Sequence, residues 1–142
     1  MIGKYSAKMD EKNRLFVPSK LRMELGETFY VTIGVNCGHK CLTVYTEAEW
    51  ETFQQRFNEL SISQRSGATS LIFMNAVECT PDKQFRFALT SSLLDYAGID
   101  REVMIVGRAG QAEIWGAEEY NSFENENLTP DKLLASLEAI GL

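Results

Sequence analysis

Hydrophobic and polar positions follow two different periods along the chain, and the periods recur in the same order in each half. In the first half, the β-branched stretch "FYVTIGV" predicts a strand, and "CLTVYT" predicts a second strand after a turn at Gly38. In the second half, "VMIVGRA" and "AEIWGA" predict the same hairpin around Gly110. An amphipathic helix is predicted to begin near Glu47 and again near Ala117. The pattern therefore predicts a mixed α+β chain.

The two halves also begin alike, with a short strand, the pattern D-x-x-x-R and a short helix that ends at a glycine. Residues 10–26, "DEKNRLFVPSKLRMELG", align with residues 82–98, "DKQFRFALTSSLLDYAG". In this alignment Asp10 matches Asp82, and Arg14 matches Arg86. Two further stretches match in the same order, which indicates an internal duplication.

The duplication predicts two units, a linker and a C-terminal helix. We predict a first unit over residues 1–57, a polar, Ser-rich linker over residues 58–70 and a second unit over residues 71–124. Residues 125–142 are predicted to form the C-terminal helix, with Thr129 as its N-cap. We expect its apolar stripe to pack on the body of the protein or on a neighbouring subunit; the stripe consists of Leu133, Leu134, Leu137 and Ile140.

Composition and charge limit the classes of protein to which this chain can belong. The apolar fraction of 44% and the charged fraction of 24% are those of an ordinary globular protein. Membrane-spanning and secretory patterns are missing, so we expect a soluble, cytoplasmic protein. Three cysteines argue against a disulfide framework. The net charge of -6 disfavours nucleic-acid binding, yet six of the fourteen basic residues lie in the first 22 positions and leave DNA or RNA possible as partners.

The combined motifs resemble the MraZ family of bacterial transcriptional regulators. The resemblance is carried by "IGKYSAKMDEKNRLFVPSKLR", by "CLTVY" before an acidic helix with Trp50, and by "DYAGI", "VMIVG" and "AEIW" in order. It implies an α+β fold of two tandem swapped-hairpin AbrB-type β-barrel repeats with short flanking helices and a pseudo-twofold within the chain. It also implies a ring-shaped homo-oligomer that binds double-stranded DNA at short direct repeats in a promoter.

Both copies of the loop depart from the family motif, which is roughly Asp-x-Lys-Gly-Arg followed by apolar residues and Pro. The first copy has Asn13 in place of glycine, a mild change because Asn tolerates the left-handed conformation. The second copy has Phe85 at that position and Thr90 where the first has Pro18. The second half has also lost much of the first half's basic charge, so the sequence leaves open whether its loop contacts DNA.

The candidate site is the pair of D-x-x-x-R loops. The planar arginine side chain binds phosphate or guanine edges through two hydrogen bonds, and a nearby aspartate can orient it. We therefore expect Arg14 and Arg86 to face DNA, with Asp10 and Asp82 orienting the loops. Further phosphate contacts are expected from Lys4, Lys8, Lys12, Lys20, Arg22 and Lys83. An ordinary surface salt bridge is the alternative, and the duplication within a basic segment favours DNA binding.

Patterns for catalysis or metal binding are not found. Cys37, His39 and Cys41 lie close together, but this spacing is not that of a structural zinc site. Hydrolase triads, phosphate-binding loops and dinucleotide-binding glycine patterns are also missing. We therefore expect no enzymatic activity, no cofactor, no metal, no small-molecule substrate and no membrane partner.

The resemblance and the loops together predict a nucleoid-associated, sequence-specific DNA-binding regulator, with no catalysis. The resemblance implies control of the cell-division and cell-wall gene cluster, and we expect repression. Two alternatives stay open: a ring-forming protein-interaction scaffold that no longer binds DNA, and an AbrB-type antitoxin whose partner is a toxin. The antitoxin fits the full-length duplication poorly. Arg14 separates the regulator from the scaffold, because only the regulator needs it to hold DNA.

Overall fold

The computed structural model describes residues 1–142 and contains eight strands and six α-helices. The elements of the first half are β1 (Lys4–Lys8), β2 (Arg14–Phe16), a 3₁₀ turn (Ser19–Leu21), α1 (Arg22–Leu25), β3 (Phe29–Asn36), β4 (His39–Thr46) and α2 (Glu47–Asn58). The remaining elements are α3 (Ala68–Met74), β5 (Val77–Cys79), β6 (Arg86–Ala88), α4 (Ser91–Ala97), β7 (Glu102–Arg108), β8 (Gln111–Gly116), α5 (Ala117–Asn127) and α6 (Pro130–Ile140). None of the helices combines the length and the apolar character needed to cross a bilayer.

The two halves exchange strands within one six-stranded antiparallel sheet, ordered β1-β7-β8-β4-β3-β5. The first strand of each half pairs with the other half: β1 with β7, and β5 with β3. The hairpins β3–β4 and β7–β8 then join where β4 pairs with β8. Because of this exchange, residues 1–57 and 71–124 do not form two separate sheets.

The α+β class is confirmed, whereas the sheet is open. Its outer strands are β1 and β5, and the pairing order does not return from one to the other. The strands β2 and β6 form a separate two-stranded antiparallel ribbon. The closed β-barrels implied by the family resemblance are therefore not seen in this chain.

One face of the sheet packs against the ribbon and the short helices. Side chains alternate along each strand, so Leu42 and Ile114 of the central strand pair share this face and are fully buried. The ribbon contributes Leu15 and Phe87 to the same core. Phe29 of β3 meets Phe87 edge-on, with the ring centroids 5.1 Å apart. The ribbon is thereby fixed to the sheet by its inner face, and its outer face is left to solvent.

The opposite face of the sheet is covered by aromatic side chains on α2, α3 and α5. Trp50 stacks on Tyr30 with ring centroids 5.1 Å apart, and Phe73 of α3 lies 5.3 Å from Trp50. In the second half Trp115 is fully buried and lies 4.7 Å from Phe123. The aromatic residues that recur in the two halves therefore form a second part of the core.

Two segments differ from the sequence-based expectation. Helix α3 begins at Ala68, inside the stretch 58–70 predicted as a linker, because its Phe73 packs among the aromatic rings of α2. Thr129 caps α6 as predicted. The apolar stripe of α6, however, does not pack on the body: its residues are between 46% and 74% exposed, namely Leu133, Leu134, Leu137 and Ile140.

Helix α5 is attached to the sheet through His39, the single histidine of the chain. Its Nδ1 lies 2.7 Å from Glu119 and its Nε2 lies 2.6 Å from Glu126, while Trp115 and Phe123 flank the ring. The hydrogen bonds to Glu126 and Glu119 raise the pKa of His39 above its usual value, against the opposing effect of lost hydration. The protonated ring therefore joins β4 to two carboxylates of α5.

We predict that His39 stabilises the fold more at pH 6 than at pH 9. In the unfolded chain its pKa is about 6.5, so the contribution is complete below that pH and is lost as the pH rises through the raised folded value. The measurement is the free energy of unfolding in urea of wild type and His39→Gln at both pH values. Other titratable groups affect the free energy of unfolding equally in both proteins, so their contributions cancel in the difference between wild type and variant. An equal difference at pH 6 and pH 9 would contradict the prediction.

Candidate nucleic-acid interface

The first loop, residues 10–14, is organised by the carboxylate of Asp10. Its Oδ1 accepts hydrogen bonds from the backbone N–H groups of Lys12 and Arg14, both at 2.9 Å. Its Oδ2 accepts a hydrogen bond from Nε of the Arg14 guanidinium at 2.7 Å. A single carboxylate thus fixes both the backbone of the turn and the direction of the arginine.

The second loop, residues 82–86, has the same arrangement. Oδ1 of Asp82 accepts from the backbone N–H groups of Gln84 at 2.9 Å and Arg86 at 3.0 Å, and Oδ2 accepts from Nε of Arg86 at 2.9 Å. Neither Arg14 nor Arg86 uses its terminal guanidinium nitrogens for a hydrogen bond within the chain. Both loops therefore present an oriented arginine whose outer nitrogens are available to a ligand.

The aspartates are held in their ionised form by these contacts. Lost hydration acts to raise the pKa of Asp10, but the backbone N–H of Arg14 and its guanidinium outweigh this and hold the pKa below its usual value. The pKa of Asp82 is lowered chiefly by the backbone N–H of Arg86. At neutral pH each arginine therefore faces a carboxylate anion, which keeps the side chain extended and oriented.

The ribbon brings the two loops to one surface. β2 and β6 pair antiparallel, with Leu15 opposite Phe87, and both of these side chains are buried beneath the ribbon. Because side chains alternate across a strand, Arg14 and Arg86 project from the outer face. Their register makes them diagonal neighbours, and such residues lie roughly 7–8 Å apart in an antiparallel pair. We call this surface the ribbon face, comprising Arg14, Phe16, Arg86 and Ala88 with the loop lysines Lys12 and Lys83.

Two of the predicted lysine contacts lie at the ribbon face. Lys12 and Lys83 are exposed within the two loops. Lys8 is exposed at the end of β1, on the strand face that it shares with Lys4, and lines a pocket with Ala117 of α5. The structure thus places Lys12 and Lys83 in the loops beside the two arginines, whereas Lys8 lies on the α5 side of the sheet.

The other predicted basic contacts lie outside the ribbon face as defined. Lys4 forms a 2.8 Å ion pair with Glu124 of α5 and so helps to fasten that helix to β1. Lys20 is exposed in the 3₁₀ turn. Arg22 donates from Nε to the backbone carbonyl of Val17 at 3.0 Å. Neither Lys4 nor Arg22 is free of partners within the chain.

The residue before each arginine adopts a left-handed backbone conformation. Asn13 has φ of 58° and Phe85 has φ of 62°, so the sequence-based expectation for Asn13 is confirmed. Asparagine tolerates this conformation, whereas a bulky side chain is held there at a cost of order 1–3 kcal/mol. The second loop keeps the geometry of the first despite this strain.

Sequence reasoning missed Phe16, an aromatic residue on the ribbon face. Phe16 is 56% exposed, although it is flanked by the buried Leu15 and Val17. It lies directly opposite Arg86 and two residues along β2 from Arg14. Strict alternation within "LFV" could have revealed it, because Leu15 and Val17 must then face the core. An exposed ring beside guanidinium groups offers apolar contact to a ligand that the arginines hold.

The cysteines and His39 do not converge on one point. Cys37 is exposed at the β3–β4 turn, while Cys41 is buried and its thiol donates to Glu113 at 3.8 Å. Burial, with the neighbouring Glu113, raises the pKa of the Cys41 thiol to about 12. His39 is committed to two glutamates of α5. No group of three or more cysteine, histidine or acidic side chains is arranged to hold a metal ion.

Comparison with known proteins supports the duplication. A family model described as "MraZ protein, putative antitoxin-like" matches the chain twice, over residues 1–71 and 72–133. The two matches follow one another along the chain, and each contains one D-x-x-x-R loop. The internal repeat found in the sequence is therefore a repeat of the unit that the family model describes.

Several relatives match over nearly the whole chain. A protein of Caldicellulosiruptor bescii named transcriptional regulator MraZ is 36% identical and covers 100% of this chain and 99% of its own length. The proteins of the same name from Carboxydothermus hydrogenoformans and Halothermothrix orenii are 39% and 32% identical, covering 87% and 99% of this chain and 86% and 99% of their own. With two family matches and these identities, the chain belongs to the MraZ family.

Proposed function

We propose that the protein is a transcriptional regulator that binds double-stranded DNA through the ribbon face. The observation that carries this proposal is the pair of arginines, Arg14 and Arg86, each oriented by an aspartate and each with its terminal nitrogens free. The relatives' shared name, transcriptional regulator, supports the regulatory part of the proposal. The relatives are not named as enzymes, in agreement with a binding function.

The dimensions of the ribbon suit the major groove of DNA. A two-stranded β-ribbon fits this groove, where arginine can form two hydrogen bonds to the O6 and N7 atoms of guanine. Arg14 and Arg86 project as diagonal neighbours from the same face of such a ribbon. We propose that they bind base edges or phosphates there, and that Lys12 and Lys83 bind flanking phosphates.

Because the two arginines are oriented before DNA binds, the entropy that they lose on binding is smaller. A free arginine loses side-chain entropy when it binds DNA. Here the hydrogen bond that Nε of Arg14 donates to Asp10 already restricts Arg14, and the bond from Nε of Arg86 to Asp82 restricts Arg86 in the same way. An exposed pair of this kind contributes only about 0–1 kcal/mol to stability, so we propose that its main effect is on binding.

The acidic part of the chain favours one orientation on DNA. Residues 113–142 contain Lys132 as the single basic residue against seven acidic residues. Helix α5 packs on the sheet face opposite to the ribbon, with Trp115 and Tyr120. Phosphates repel that acidic side, whereas the ribbon face carries Arg14, Arg86, Lys12 and Lys83, so the ribbon face is presented to DNA.

We further propose that several copies bind together to short direct repeats upstream of cell-division and cell-wall genes and repress them. The two loops of one chain lie too close together to contact more than one short site. Copies joined in a ring would engage successive repeats, and each contact after the first would be effectively intramolecular. The exposed apolar stripe of α6 offers a surface for this self-association.

We predict that Arg14→Ala and Arg86→Ala each weaken specific DNA binding about 10-fold to 100-fold, the loss expected for one bidentate base contact. The measurement is fluorescence anisotropy of labelled DNA from the region upstream of the protein's own gene, with scrambled DNA for comparison. Arg56→Ala, an exposed arginine of α2, is the charge-matched control and should bind as wild type. Wild type that ignores both DNAs at low salt would refute the proposed function and favour the scaffold.

We predict that Leu137→Glu reduces the assembly to smaller species, because it places a charge in the α6 stripe. Light scattering after gel filtration measures the mass. Ala135→Glu adds the same charge on the opposite side of the helix and should leave the mass unchanged. Binding to DNA with one repeat should persist in Leu137→Glu, whereas tight binding to several repeats should be lost. Equal masses for the two variants would exclude α6 as the contact.

A further inference from the structure

Arg22 and Phe85 come from different repeats and meet beside the second loop. The central carbon of the Arg22 guanidinium lies 3.8 Å from the centroid of the Phe85 ring. Nε of Arg22 donates to the Val17 carbonyl at 3.0 Å, and the Val17 N–H donates to the Phe85 carbonyl at 2.8 Å. Arg22 therefore contacts the ring of Phe85 directly and its backbone through Val17.

Phe85 has an unfavourable backbone conformation that contacts with other residues must stabilise. Its φ of 62° lies in the region that bulky side chains rarely adopt. Its side chain is 44% exposed, so burial alone does not hold the ring. Phe85 also immediately precedes Arg86, so a change in its backbone conformation would redirect the arginine of the loop.

The two repeats differ at both of these positions together. In the first loop the residue equivalent to Phe85 is Asn13, which tolerates the left-handed conformation unaided. The residue of the second repeat equivalent to Arg22 is Leu94, which is buried in the core. The backbone framework is the same, since the Leu89 N–H donates to the Asn13 carbonyl at 3.0 Å. An arginine thus occupies the position that contacts the loop with phenylalanine. In the other repeat, where the corresponding loop has asparagine, the equivalent position is a leucine.

An open groove beside the contact between Arg22 and Phe85 provides space into which the Phe85 ring could turn. The groove has a volume of about 500 Å³, and Arg22, Lys83 and Phe85 form part of its wall. Without the guanidinium against it, the Phe85 ring could turn into this space and the backbone could leave its strained conformation. The contact with Arg22 opposes that movement.

We propose that Arg22 is a positioning residue for the second loop. By stacking on Phe85, it holds residue 85 in the left-handed conformation and so keeps Arg86 directed at DNA, instead of binding a phosphate itself. Asp82 orients the guanidinium of Arg86 locally, and Arg22 fixes the backbone from which Arg86 projects. The DNA-binding part of this inference rests on the proposed function.

A double-mutant cycle with Arg22→Met and Phe85→Gly tests the inference. Arg22→Met should weaken binding to the upstream DNA about threefold to tenfold, with no change in the salt dependence. In the Phe85→Gly background the same change should alter binding less than about twofold, because glycine adopts positive φ without support. Arg56→Met, on the exposed side of α2, is the control for loss of an arginine.

Two outcomes of the cycle would overturn the inference. If Arg22→Met weakens binding equally in both backgrounds and reduces the salt slope by about one, Arg22 is a phosphate contact. If Arg22→Met leaves binding unchanged in the wild-type background, the contact with Phe85 has no part in DNA binding.

Amide exchange measured by NMR on the free protein separates this inference from the proposed function. The N–H groups of Gln84 and Arg86 are bonded to Asp82, so Arg22→Met should speed their exchange and leave Lys12 and Arg14 unchanged. Adding Phe85→Gly should remove the difference. Faster exchange in both loops, or in neither, would overturn the local role. The expected pattern in a protein that binds no DNA would refute only the proposed function.

Discussion

The pairing of β2 with β6 is the constraint on which the candidate interface depends. Each strand has three residues, too short to form a stable ribbon in water on its own. The ribbon persists because Leu15 and Phe87 are buried beneath it, and because bonds from Val17 to Phe85 and from Leu89 to Asn13 extend it. One strand comes from each repeat, so the two loops share a surface only when the whole chain has folded.

Strand exchange in the main sheet also makes the position of each loop depend on both repeats. β1 leads directly into the first loop and is anchored on β7, while β5 leads into the second loop and is anchored on β3. Each loop therefore begins from a strand held by the opposite repeat. Separating the repeats would remove the anchor of both loops and the partner of both ribbon strands, so the interface belongs to the duplicated chain and not to either copy.

Much of this architecture could be predicted from the sequence, and the remainder depends on long-range pairing. The hairpins, α2, α5 and the Thr129 cap follow from local patterns that the structure confirms. Strand exchange could not be predicted, because two similar repeats offer each strand two similar partners. The helix α3 was missed since its Phe73 is fixed by distant aromatic rings. The ion pair between Lys4, a predicted DNA contact, and Glu124 could not be foreseen, because nothing in the sequence reveals that the two residues are neighbours.

The charge of the second loop shows why basic residues must be counted where the fold places them. Counted over the repeats, the second half has lost basic residues, since Ser92 and Leu94 replace Lys20 and Arg22. Both of those positions lie outside the loops. Within the loops themselves, residues 10–14 carry two acidic and two basic side chains, whereas residues 82–86 carry one acidic and two basic. Electrostatic attraction to phosphate falls off over a Debye length of about 10 Å at 0.1 M salt, so the loop charge outweighs more distant residues. The net charge of the second loop is therefore at least as favourable for binding DNA as that of the first loop.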